Sequence, residues 1–370
     1  MKEGCFNMAE KHYFACGNTA KGFQNMFESN LQGLKKIYIL KGGPGTGKST
    51  LMKKVGKKYV DKGYDVEYIH CSSDPDSLDG VIVRGVSVGI VDGTAPHVIE
   101  PKVAGAIEEY VNLGTAWNVE LLENKTDEIR ALQEQISLCY PKAYEAFDKA
   151  LKIHDEWEKI YIDNMNFERA DALTEKVCEM LLGNIEKQES GIVRHRFFGG
   201  STPKGAMDYV ENITSNCKKR YFIKGRPGSG KSTMLKKILR RAEVLGLEVE
   251  VYHCGFDPNS LDMILLPGLE LCIFDSTAPH EYKPSREGDD VIDMYTELIN
   301  PNTDERYEDE LKDIKKRYKE TVAIGTSYLK KAKDLHDELE KYYIAATDYD
   351  IIEKTTNDVM ARIAARERYI

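Results

Sequence analysis

"GGPGTGKST" occupies residues 42–50 and "GRPGSGKST" occupies residues 225–233. Both satisfy the pattern G-x-x-x-x-G-K-[S/T]. Each follows an apolar run, "KIYIL" or "RYFI", and precedes a basic helical run. That context turns the pattern into a site. Glycines allow successive backbone N–H groups to turn inward around phosphate oxygens. Gly42, Gly43, Pro44, Gly45, Thr46 and Gly47 would form one such cradle. Gly225, Arg226, Pro227, Gly228, Ser229 and Gly230 would form the other. The helices opening at Lys48-Ser49-Thr50 and Lys231-Ser232-Thr233 add their positive ends. Lys48 and Lys231 would reach the β- and γ-phosphates, and Ser49 and Ser232 would ligate Mg²⁺.

The two loops belong to a longer repeat. At an offset of 183, residues 12–101 align with 195–284 without a gap and with 38 identities in 90 positions. That is far above chance, so the chain is a duplication. "HDEWEKIYI" (154–162) recurs as "HDELEKYYI" (336–344), and all eight histidines pair as 12/195, 70/253, 97/280 and 154/336. Strands alternating with helices predict a parallel α/β sheet flanked by helices in each copy. Long charged helical arms follow, at about 103–190 and 288–370. The expected domains are therefore 1–190 and 191–370, each with its own arm. Phe147, Leu151, His154 and Tyr161 share one helical face, as do Leu329, Ala332, His336 and Tyr343. The arms should form helical hairpins, with a turn or kink at "YPK" (140–142). Packing is the expected role of His154 and His336.

The third strand of each copy ends in an acid, in "GIVDGTAPH" (89–97) and "CIFDSTAPH" (272–280). Asp92 and Asp275 lie 44 residues past the loop lysines and fit the metal-side acid that helps hold Mg²⁺. Gly93 or Ser276 stands where many ATP-hydrolysing enzymes carry a glutamate. The base must then come from elsewhere: Asp74 or Asp257, His97 or His280, or the opposite copy. Asp74 and Asp257 lie in "HCSSDPDSLDG" (70–80) and "HCGFDPNSLDM" (253–263), at the ligand-binding end of a parallel sheet. Asp-Pro also starts turns, and Ser-x-x-Asp can cap a helix, which is the competing reading of Asp79 and Asp262. Thr94 and Thr277 could bond the attacking water, while the "TAPH" proline could simply make a rigid turn. His70, Cys71 and His97 are chemically suited to zinc, but no paired-ligand spacing supports that reading. The arginines near these motifs, Arg226, Arg84, Arg194 and Arg196, have no clear counterparts in the first or second copy. "NKTD" (124–127) matches a guanine-binding motif but sits in a helical stretch, so adenine is the default base.

The motifs resemble those of the P-loop NTPase superfamily over residues 36–97 and 219–280. The layout of the whole chain resembles a bacterial family of duplicated P-loop proteins described as ATP-binding proteins or ATPases. The resemblance implies two P-loop domains, ATP and Mg²⁺ as cofactors, and no substrate. No LSGGQ-like signature is present.

A net charge of −9 argues against nucleic acid as the main partner. No apolar run approaches membrane-spanning length, and "MKEGCFNMAEKHYF" lacks the apolar core of a signal peptide. Eight scattered cysteines read as free thiols, and the expected compartment is the cytoplasm. Three functions fit. The first is an ATPase whose turnover changes the relation of two repeats acting as a pseudo-dimer or oligomer. The second is a small-molecule or nucleotide kinase. The third is a nucleotide-dependent scaffold whose arms bind a protein partner.

Overall fold

The computed structural model describes residues 10–368. Residues 1–9, where the reading for a signal peptide begins, lie outside the described residues. The chain forms two compact units, and each is discontinuous in sequence. Among the described residues the first contains 10–16, Leu31–Pro141 and 328–368; the second contains Gly17–Asn30 and Lys142–Ser327. This differs from the expected division at residue 190. The loop at 42–50 shares its unit with the distal part of the second copy's arm, from Tyr328 onward, and the loop at 225–233 shares its unit with the distal part of the first copy's arm, from Lys142 onward.

The packing shows why. In the first unit, the helix Lys48–Val60 buries Leu51, Met52, Val55 and Tyr59, and the same apolar cluster takes in Ile352, Val359 and Ile363 of the helix Tyr349–Glu367. In the second unit, Met234, Leu235, Ile238 and Ala242 of the helix Lys231–Val244 cluster with Val177, Cys178, Leu181 and Leu182 of the helix Phe167–Leu182. Duplication gives both arms nearly the same apolar face, so chain order does not say which core an arm covers.

Each unit is α/β with a mixed sheet. In the first, the strand order is Glu10–Phe14, Val66–His70, Leu78–Val83, Val88–Asp92, Lys36–Lys41, Glu108–Asn112. The second repeats it with Val193–Phe197, Val249–His253, Leu261–Leu266, Leu271–Asp275, Lys219–Lys224, Asp289–Asp293. The expected all-parallel sheet is corrected by one strand per unit. Leu78–Val83 and Leu261–Leu266 run antiparallel to both neighbours. Asp79 and Asp262 therefore lie in strands and cap no helix. Their charge interrupts the apolar run that would have marked the strand, and burial of both acids is what the sequence hid.

The arms also start later than expected. Glu108–Asn112 and Asp289–Asp293 are edge strands, rich in acids as exposed edges commonly are. "YPK" is not a turn: the helix Thr126–Ile162 runs through Pro141, and the chain turns at 163–166 instead. Asn166 caps the next helix by accepting from the Arg169 N–H at 2.9 Å. Among the described residues no helix is long and apolar enough to cross a membrane.

Candidate functional site

Strand Lys36–Lys41 delivers the chain into the first glycine-rich loop, and helix Lys48–Val60 leaves it. Gly45 and Gly47 have φ of +68° and +82°, as Gly228 and Gly230 have +74° and +87°. Side chains rarely adopt this region, and only glycine does so freely. Thr46 Oγ1 donates to the Gly43 carbonyl at 2.8 Å, tightening the turn.

Each loop folds its lysine back across itself. Lys48 Nζ donates to the carbonyls of Gly42 and Gly43 at 2.9 and 2.8 Å, and lies 3.5 Å from Asp92 Oδ2. Lys231 Nζ donates to the Arg226 carbonyl at 2.7 Å and lies 3.6 Å from Asp275 Oδ2. Parallel pairing sets this distance, with Leu40 opposite Asp92 and Ile223 opposite Asp275. Thr94 donates to Asp92 Oδ1 through both N–H (2.8 Å) and hydroxyl (2.6 Å), and Thr277 does the same to Asp275. The threonines thus orient the acids rather than face open space. Ser49 Oγ accepts from the Leu78 N–H at 3.0 Å, and Ser232 Oγ accepts from Leu261 at 2.9 Å.

The remaining sequence candidates separate. Asp74 stays near the site: it accepts from the Ser77 hydroxyl at 2.9 Å and lies 3.7 Å from Lys333 Nζ. Asp257 accepts from the Asn259 N–H at 3.2 Å and caps its turn. His97 is buried, with Nε2 3.2 Å from Asp79 Oδ1. Burial disfavours its charged form, but Asp79 and Asp92 outweigh burial and raise its pKa. His280 turns elsewhere, its Nδ1 2.6 Å from Asp208 Oδ2. Its pKa is also raised, burial being outweighed by Asp208. His70 contacts the His12 ring at 2.8 Å and the Pro75 carbonyl at 3.0 Å, and burial pulls its pKa down to about 4. Among the described residues no group of metal-ligating side chains includes it. Three of the arginines are engaged with acids: Arg84 with Glu67 and Arg196 with Glu250, both in strands, and Arg194 with Glu248 just before a strand. Arg226 is held by Asp304 at 2.7 Å and lies over the Tyr295 ring. "NKTD" follows the short helix Val119–Glu123 and no strand, and Lys125 pairs with Glu128.

The residues missed in the sequence come from the arms. The Gly45 N–H donates to Glu340 Oε1 at 3.1 Å. The Tyr349 hydroxyl donates to the Gly45 carbonyl at 3.0 Å. A Cβ at Gly43 would lie 2.8 Å from the Tyr343 ring, and one at Gly228 would lie 2.5 Å from the Glu158 carbonyl oxygen. His336 is flanked by Glu340, Asp337, Lys333 and Asp74; His154 is flanked by Glu158, Asp155, Lys231 and Asp257. Burial lowers the pKa of both rings. His154 packs against the Trp157 and Tyr318 rings, as expected, and both histidines also face charged residues beside the loops. Their retention within "HDE[WL]EK" in both copies was the available signal. Beside the first loop, Trp117 and Tyr343 approach with ring centroids 5.6 Å apart, and Tyr343 also lines a cavity of about 320 Å³ with Leu122, Ile129 and Arg130.

Comparison of the chain with family models, with curated proteins and with solved structures found no match.

Proposed function

We propose that this chain binds Mg-ATP at both glycine-rich loops and hydrolyses it, as a tandem P-loop NTPase in which each loop is served by the arm of the other copy. The observation that carries the reading is the Glu340 carboxylate on the Gly45 N–H. A loop N–H turned toward an anion is what phosphate binding needs, and here a carboxylate takes that place. The lysine–aspartate pair behind each loop supports it.

The donor set suits the ion. Ser49 with Asp92, and Ser232 with Asp275, offer hard oxygen ligands on the lysine side of each loop. Bound there, Mg²⁺ would neutralise charge on the β- and γ-phosphate oxygens. Lys48 and Lys231 would leave their carbonyl partners for the phosphates. Asp74 and the arm residues His336 and Glu340 would hold water at the first loop, the task left open by Gly93. At the second, Asp257, His154 and Glu158 would do the same. Tyr343 and the cavity beside it offer a planar, partly apolar seat for a base. A triphosphate in the first loop must displace Glu340, so nucleotide binding and the position of the arm are linked.

Purified protein with Mg-ATP should release phosphate without any acceptor. Lys48→Ala and Lys231→Ala should each remove one equivalent of bound fluorescent ATP analogue. Unchanged binding in the double variant overturns the reading. Transfer to added metabolites without phosphate release would favour a kinase, with Asp74 as base.

A further inference from the structure

Cys71 and Asp79 have no assigned task in the nucleotide reading, and His97, one of its candidate bases, is turned to Asp79. One ligand atom from each lies within 4.8 Å of the others. Asp79 and His97 are 3% and 7% exposed. Asp79 Oδ2 is buried with no hydrogen-bond partner, although an unsatisfied carboxylate oxygen is costly in a protein interior. A thiol, an imidazole and a carboxylate form a donor set for a borderline-soft divalent ion, whereas Mg²⁺ takes oxygen. A tetrahedral Zn²⁺ with bonds of about 2.0–2.3 Å holds its ligand atoms roughly 3.3–3.8 Å apart. Small side-chain rotations from the observed spacing reach that geometry.

The second copy carries the same three residue types at Cys254, Asp262 and His280, but they do not form such a group. Asp208 takes His280 at 2.6 Å and accepts from the Tyr282 hydroxyl at 2.5 Å. At the matched positions the first copy has Asn25 and Ile99, which carry neither a carboxylate nor a hydroxyl.

We infer that Cys71, Asp79 and His97 bind one zinc-class divalent cation in the first unit, with a remaining position for water or another oxygen donor. The Cys71 thiol proton leaves to solvent as the metal–sulfur bond forms. The second unit lacks the site because Asp208 holds its histidine.

The full chain, stripped of metal and titrated with Co²⁺, should bind one equivalent with a thiolate-to-cobalt charge-transfer absorption that Zn²⁺ abolishes. Cys71→Ser should remove that absorption, while Cys254→Ser keeps it, with far-ultraviolet circular dichroism confirming that both variants fold. Asp208→Asn, which restores the first-copy residue, should raise the stoichiometry to two. Absence of the absorption in the unaltered chain, or its survival in Cys71→Ser, overturns the site. A single equivalent in Asp208→Asn overturns the assignment of Asp208 as the competitor.

Discussion

The Glu340 carboxylate accepts from the Gly45 N–H of the first glycine-rich loop, and under the proposed reading its charge makes it a competitor for phosphate. A charge-assisted hydrogen bond is worth about 1.5–3 kcal/mol. Glu340→Gln should therefore tighten ATP-analogue binding at the first loop by roughly tenfold, read by fluorescence titration in a Lys231→Ala background. Glu158 meets Gly228 through its carbonyl oxygen. Glu158→Gln should leave the affinity of the second loop unchanged, measured in a Lys48→Ala background. Gly228 bears two constraints at once: a positive φ and the Glu158 backbone in the place of a Cβ. Gly228→Ala should cost about 1–3 kcal/mol in denaturant unfolding, because a carbonyl on a helix cannot swing aside. The glycines of the loop were legible from the motif. That one of them also admits an arm helix was not, since the motif already explains it.

At the scale of elements, the edge strands decide where the sheet ends. Arg220 and Asp289 lie opposite each other in register, their side chains each 1% exposed, and they meet in a double hydrogen bond at 2.7 Å. The Arg220 guanidinium, with the N–H groups of Ser285 and Arg286, holds the Asp289 pKa far below the usual carboxylate range. A depressed acid stabilises the fold fully above its unfolded pKa, about 4, and that contribution is lost as pH falls through the folded value. Asp289→Asn should cost about 3–5 kcal/mol at pH 7 by leaving a buried guanidinium with only the half-exposed Glu211 as acidic partner. It should also flatten the loss of thermal stability below about pH 4. The first copy solves the same problem with Lys36, whose Nζ lies 2.9 Å from Glu109. Sequence patterning missed both strands because "EEYVN" and "DDVID" carry the charge of an exposed edge. Their membership in the sheet comes from pairing and from ion pairs to a buried cation, Lys36 or Arg220.

For the whole molecule, the exchange of arms makes a direct prediction about fragments. Residues 1–190 alone would lack Ile352, Val359 and Ile363, which cover the first unit's helix–sheet core. At about 1.5–3 kcal/mol for each buried side chain, their loss is roughly 5–9 kcal/mol. That rivals the 5–15 kcal/mol total stability typical of a domain. Fragments 1–190 and 191–370 should each fail to show a cooperative melt, and mixing them from denaturant should restore one. A cooperative melt of 1–190 by itself would show that its own arm can close its core.

The sequence by itself determined the duplication, the two glycine-rich loops, the lysines and acids behind them, and the helical nature of the arms. These rest on local periodicity, on glycine chemistry and on short spacings within one βαβ-type stretch, all carried by neighbouring residues. Tertiary structure alone decided which arm meets which loop, that Glu340 reaches Gly45, and that Cys71, Asp79 and His97 converge while their second-copy equivalents do not. The first two depend on contacts such as that of Glu340 with Gly45, 295 positions apart, and the third on the hold that Asp208 takes on His280, 72 residues further on. Where two copies share nearly the same apolar faces, only the burial achieved in three dimensions distinguishes one pairing from the other.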